Sequence, residues 1–542
     1  MISSGSMLAN VCRKRVVAVA MALVVAPAAV AADAPADSAY HQPPKAILDV
    51  MHAPSPPVPY VSPTEDAMLL VSWQDYPPMS RVATPFLRLA GVRIEPKNHS
   101  KHDTPGGYGI TPCARSFDLV RVADGKETHV ALPDGACPGT PVWAADGKRY
   151  AFANVATDAV ELWIGDTTGV VRRVPGVRLN PMFGEDAHWM PDQASLIVKL
   201  VPGGLGAPPP EPEVPAGPSI QETAGAKGQS STYENRDTLG GKHDEDLFDY
   251  YALSQLALVD AGTLAVMPIG KPANYARLRP APDGKHVLVS AIHKPYSYVT
   301  TYDRFPQEVD VWDVSNHADI AVQHIASLPL ADRVPIHGVP TGPRDFEWRA
   351  TSPATLTYAE ALDGGDWNVN VPFRDKVFAL AAPFTSAPVE IGRTEQRYTG
   401  FGWTEEPSLA LRTEYDANRH WTRTYLVDVD DPAQKPRLLW DLSTDEEYAN
   451  PGEPVARQLP NGAWVIRKDG NAIFLEGSGS SPDGDRPFLD RLDLATLKTE
   501  RLFRSGKTSY ERFLSFKSGA DTRTFLTWHQ SVVDPPNAFV RT

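Results

Sequence analysis

Cysteine is nearly absent from this sequence, with three copies in 542 residues, at positions 12, 113 and 137. No Cys/His spacing resembles a zinc site, so a metal-stapled fold is excluded, and neither a metal nor another cofactor is expected. Long apolar runs are equally scarce. The longest apolar stretch covers residues 16–30, and these 15 residues, broken by Pro27, fall short of the ~20 that a spanning helix needs. Positive charge is also short. The 52 Lys+Arg face 66 Asp+Glu, a net charge of −14, and a surface of that sign repels nucleic acid and anionic membranes.

The apolar run fits an export signal. Arg13, Lys14 and Arg15 precede it, and Ala29-Val30-Ala31 supplies the small residues of a cleavage site. Residues 1–31 are therefore expected to be a signal peptide, removed on export and most naturally to the periplasm, with residues 32–58 as an N-terminal extension. The mature chain would carry 49 basic and 66 acidic residues, net −17. Cys12 leaves with the signal, and Cys113 and Cys137 remain as an even pair. In an oxidising compartment they form a disulfide or stay as two buried thiols.

What the chain has in abundance is turn chemistry, with 52 Pro and 39 Gly. One phrase recurs, in which an apolar approach leads to a Pro/Asp/Gly corner and then an alternating strand. It reads YVSPTEDAMLLVSW (60–73), PVWAADGKRYAFANV (141–155), AHWMPDQASLIVKLV (187–201), RLRPAPDGKHVLVSA (277–291), FEWRATSPATLTYAEA (346–361), GFGWTEEPSLALRTE (400–414), ARQLPNGAWVIRKD (456–469) and LSFKSGADTRTFLTWH (514–529). Pro presets φ, Asp or Asn bonds back to the backbone, and Gly accepts positive φ, so each copy predicts a hairpin. Further hairpins lie between copies, as in VELWIGDTTGVVRRVPG and DVWDVSNHADIAVQHIASL. Two hairpins make a four-stranded unit.

From the fourth copy the units recur every roughly 54 to 70 residues, longer than the ~40–50 of common propeller repeats but compatible with added loops. The predicted fold is all-β, a seven- or eight-bladed β-propeller over 59–542. The terminal NAFVRT reads as a strand without its hairpin partner, so an incomplete last blade is expected. Residues 202–240 are dense in Pro, Gly and small polar residues and form an excursion that cannot bury a core.

Other groups point more weakly to sites. His243, Asp244, Glu245 and Asp246 could suggest a metal, but on an extended chain neighbours face opposite ways and an acidic run before a strand is ordinarily solvated. DGGDWN (363–368) and SSPDGD (480–485) are oxygen-rich but lack the spacing of a twelve-residue calcium loop. Trp143, Trp189, Trp348 and Trp403 occupy corresponding places in successive copies, which points to packing between blades.

The order of several passages carries a resemblance: YHQPPKAILDVMHAPSPP, MSRVATPFLRLAGVRIEPKNHS, GPSIQETAG then HDEDLFDYY, KPYSYVTTYDRFPQEVDVWD, TGPRDFEWRATSPATLTYAEALDGGDW and FLDRLDLATLKTERLFRS. Together, across nearly all of 40–540, they resemble the N-terminal part of the prolyl oligopeptidase family of serine peptidases, in its glutamyl endopeptidase branch. The resemblance implies a propeller that caps an α/β-hydrolase domain with a Ser, Asp, His triad. These 542 residues contain no G-x-S-x-G nucleophile motif. The nearest strings, GPSIQ, GQSST and GSGSSPDG, read as loops, so no catalytic residue is assigned.

The chain is therefore expected to be a substrate-gating propeller, possessing no peptidase activity by itself. Peptides would be substrates only with a hydrolase domain, and two origins fit: a separately encoded subunit that supplies it, or a truncated gene product that lacks it. The alternative is a periplasmic binding or scaffold propeller without peptidase activity. If a preference for acidic residues draws on basic side chains of the cap, Arg236, Lys242, Lys294 and Arg304 are the candidates.

Overall fold

The computed structural model describes residues 42–104, 109–184, 186–214, 235–518 and 521–542. The expected signal peptide and the middle of the excursion, 215–234, lie outside them. The chain divides into two compact units, Met1–Pro54 and Ser55–Thr542. In the first, a helix spans Lys45–Met51, and Lys45 pairs with Asp49 one turn on. No helix among the described residues is long and apolar enough to cross a membrane.

The second unit is a series of antiparallel meanders. Each of the eight repeated phrases forms the hairpin expected of it. The first sheet joins Val58–Val61, Ala67–Trp73, Ala114–Arg121 and Glu127–His129 in that spatial order. Later sheets repeat the pattern, and the last, Ser509–Ser518 with Asp521–Ser531 and Asn537–Arg541, has three strands. The third and fourth share a strand. Val266–Pro280 runs as the outermost strand of one and continues as the innermost of the next.

Strand residues alternate between two interfaces, which explains why the central strands read as continuous apolar runs. In SLIVKL (195–200), Leu196 and Val198 pack towards the second sheet with Leu162 and Ile164, whereas Ile197 packs towards the fourth with Leu278 and Val287. The pattern repeats in the next sheet. Val287 and Val289 face back, and Leu288 faces forward to Phe346 and Leu356. Consecutive sheets thus stack face to face, each contributing to two cores. This is the blade packing of a β-propeller.

The tryptophans act between blades, through a hydrogen bond as well as apolar area. Trp143 Nε1 donates to the Tyr60 carbonyl at 3.0 Å, Trp189 to Val142 at 3.0 Å and Trp348 to Arg279 at 2.9 Å, each reaching the innermost strand of the preceding sheet. Trp403 is buried, but its Nε1 finds no partner. The corner glycines matter where corners touch. Gly147 has φ of +68°, and a Cβ there would collide with the Thr64 hydroxyl of the preceding corner.

The structure corrects one reading. Residues 243–246 are helical and belong to the helix Lys242–Ala252, which buries Leu247, Phe248, Tyr251 and Ala252 on one face. The acidic residues form its first turn, where they complement the helix dipole.

Burial creates one pH-sensitive position in the seventh sheet. Glu476 stands opposite Glu453, and its carboxyl is pushed up to about 7, chiefly by burial, with Arg512 opposing and Glu453 reinforcing the shift. A folded-state pKa above the unfolded value means that the native chain holds the proton more tightly. The resulting stability is present below pH ~4.5 and is lost as pH rises through 7, an effect of at most about 3 kcal/mol. Urea unfolding at pH 5 and pH 8 is expected to show a smaller difference in Glu476→Gln than in the parent; an unchanged difference would rule out this source.

Candidate functional site

In a meander every first-to-second connection emerges at one end of the sheets, and every second-to-third connection at the other. The repeated corners therefore gather at one end. There, the Gln193 side chain accepts from the Ala145 backbone, Asp283 N donates to the Pro353 carbonyl at 2.8 Å, and Asn461 Nδ2 reaches the Pro282 carbonyl at 3.2 Å. Asn461 turns the separate two-stranded hairpin Ala456–Gln458 with Trp464–Ile466, and Pro282 stands in the corner of the fourth sheet, so corners far apart in the chain meet. The first corner joins through Glu65, which accepts from Arg467 Nη1 at 3.2 Å.

Next to these corners lies a cavity of about 570 Å³, walled by innermost strands of successive sheets. Trp189, Trp348, Trp403 and the exposed Trp464 supply apolar wall, and His188, Arg279 and Glu347 supply charge or polarity. His188 Nε2 is buried without a hydrogen-bond partner. Burial, with Arg279 and Lys199 nearby, pushes its imidazole down to about 3, so it is neutral at physiological pH. Burial raises the Glu347 carboxyl, Asp345 adds to the rise, and Arg277 and Arg279 oppose it. The wall is polar and reached by solvent: Glu347 is exposed, and His188 is half-buried.

The opposite end is elaborated. The long connections 74–113, 201–253 and 293–306 all join second to third strands, and their apolar residues form a separate core of Leu89, Ile94, Phe248, Tyr251, Tyr296 and Phe305. Two of the four basic candidates are neutralised here. Lys242 pairs with Asp246 on its own helix, and Lys294 Nζ lies 2.7 Å from Asp249 and over the Tyr296 ring. Arg236 lies beside Asp237, whose carboxylate binds Arg93 at 2.7 Å. Arg304 lines a cleft between the fourth and fifth sheets.

The oxygen-rich groups have structural partners. Asp244 accepts from Gly240 N, and Glu245 accepts from the Tyr298 hydroxyl at 2.8 Å. In DGGDWN, the Asp363 carboxylate binds Arg374 at 2.8 Å and Arg397 at 2.5 Å. In SSPDGD, Ser480 donates to Asp485 at 2.9 Å and Asp483 pairs with Lys507 at 3.2 Å. No group of three or more His, Cys, Asp or Glu among the described residues could hold a metal ion. Cys113 and Cys137 form a disulfide, with Cα atoms 4.6 Å apart.

Sequence reasoning passed over His188, Arg277, Arg279, Arg344 and Glu347. All five sit in the first strand of a repeated unit, and charged or imidazole side chains on an innermost strand are the signal that could have found them.

No family model matches the chain. Among curated proteins it is 37% identical over 495 residues to a probable chloroplastic glutamyl endopeptidase of Oryza sativa subsp. japonica, covering 87% of this chain and 51% of that protein. Its counterpart in Arabidopsis thaliana is 35% identical over 494 residues, with 87% and 50% covered. Over that span the chain is a homologue of the glutamyl endopeptidases. It spans about half the length of these curated relatives. Among solved structures it is similar to a prolyl endopeptidase (TM-score 0.43, 12% identity, 89% of this chain and 55% of that one). It is also similar to the β-propeller domain of the trilobed protease from Pyrococcus furiosus (0.37, 9%, 75% and 95%).

Proposed function

We propose that the chain is the substrate-gating propeller of an exported serine peptidase that cuts peptides at glutamyl residues. The observation that carries this reading is the convergence of corners over the cavity, in a chain homologous to half of a glutamyl endopeptidase. Side-chain and backbone hydrogen bonds narrow that end, so a folded protein is refused while an extended peptide can be admitted. Chemistry falls to a hydrolase domain, because these residues hold no G-x-S-x-G turn on which a serine could be activated. Export accords with the disulfide, which needs an oxidising compartment to persist.

The test is to treat the purified chain with a fluorophosphonate reporter and with peptides containing internal Glu, alone and after adding the hydrolase domain of a full-length relative. The expected result is no labelled serine in this chain, and cleavage of short peptides but not of a folded protein once the hydrolase domain is present. Serine labelling with cleavage by the chain alone would overturn the division of labour. Failure to associate with any hydrolase domain would favour a binding propeller instead.

A further inference from the structure

The cleft between the fourth and fifth sheets, at the elaborated end, has a volume of about 340 Å³, room for roughly ten waters. Four guanidinium groups line it, from Arg277 and Arg344 on innermost strands, Arg304 on the turn Tyr302–Arg304, and Arg333 on the connection between the sheets. Three carboxylates line it too, those of Asp303, Asp332 and Asp345, and two of them are committed. Arg344 binds both Asp345 and, at 2.7 Å, the fully buried Asp375, and Asp303 takes a hydrogen bond from Thr301 while lying 3.3 Å from Arg304 Nε.

Two arginines remain under-used. Arg304 Nη1 is buried with no hydrogen-bond partner, and Arg277 Nη1 donates to the neutral Phe346 carbonyl at 3.1 Å, with no carboxylate paired to it among the described residues. A buried charged donor left unsatisfied is costly, and a guanidinium is shaped to bind a carboxylate through two parallel hydrogen bonds. Phe305, Leu328 and Val334 supply apolar wall, so that bond would form in partly desolvated surroundings.

We propose that this cleft binds a carboxylate of a peptide, held by Arg277 and Arg304. The inference rests on the reading that the chain handles peptides, and adds a recognition site separate from the cavity at the corner end. The carboxylate could belong to an acidic side chain or to a peptide C-terminus, and both offer the same two oxygens.

Calorimetric titration of the mature chain distinguishes these sources with three peptides: one capped at both ends with a central Glu, its Gln counterpart, and the Gln peptide with a free C-terminus. Binding of the Glu peptide but not the capped Gln peptide, weakened at least tenfold in Arg304→Gln and in Arg277→Gln, is the expected result. Lys242→Ala, which removes a cation already paired on its helix, should leave the affinity unchanged. Binding of only the free-C-terminus peptide, with the same arginine dependence, would assign the site to chain ends. Equal binding of both capped peptides would leave peptide handling intact and overturn carboxylate recognition. Absence of binding by all three would overturn the site, and the hydrolase-domain assay then reports separately whether the peptidase reading survives.

Discussion

Asp375→Ala is expected to lower the unfolding free energy by about 3–5 kcal/mol, the loss typical when one member of a buried ion network is removed. Asp375 is fully buried in the fifth sheet. Its Oδ1 accepts from Arg397 Nη1 at 2.8 Å, and its Oδ2 takes the Tyr398 backbone N–H at 2.8 Å and pairs with Arg344. Arg397 continues to Asp363, which also holds Arg374, and both arginines lie over the Trp367 ring, Arg374 at 4.0 Å. Alanine strands two guanidinium groups away from water with their counter-charge halved. Asp375→Asn keeps the shape and one acceptor, so its cost should be smaller. Urea unfolding of the parent and both variants checks the ranking, and a loss below about 1 kcal/mol for alanine would show that the network contributes little. The effect should reach the cleft as well, because Asp375 and Asp345 together hold Arg344.

The second large effect concerns the disulfide. Cys113 and Cys137 are 24 residues apart, and closing a loop of that length restricts the unfolded chain by about 3 kcal/mol. The bridge also lies where two sheets meet. Ala114 N donates to the Pro138 carbonyl at 2.8 Å and Val155 N to the Cys137 carbonyl at 3.0 Å, which ties the first sheet to the second. The double substitution Cys113→Ser with Cys137→Ser is expected to lower stability by that amount under oxidising conditions and to abolish any response to a reductant. Equal denaturation midpoints for parent and variant, with and without reductant, would mean that the thiols are unpaired in the protein.

Much of the fold can be read along the chain because its signals are local. A Pro-Asp-Gly corner sets a turn through the φ preferences of three residues, and alternation sets a strand through the two-residue period of its side chains. Eight such corners stand in the sequence and eight hairpins stand in the structure. Residues 243–246 show where local reading fails. Four polar residues before an apolar stretch suit either an extended run or the first turn of a helix, and the choice was made by Phe248 and Tyr251 packing against Leu89, Ile94 and Tyr296. Nothing within the segment encodes those partners.

The sites follow the same division. The sequence by itself determined the repeating β-units, the missing nucleophile motif, the even cysteine pair and the family resemblance, since each depends on residue type and order. Only the tertiary structure decided that Lys242 and Lys294 are neutralised while Arg304 lines a cleft, that Asp363 serves an arginine network, and that His188 and Glu347 stand in the wall of one cavity. Strand alternation places a side chain on one of two faces, but the stacking of successive sheets determines what that face meets. Charges more than sixty residues apart, such as Arg277 and Arg344, come to share one cleft only when their sheets pack.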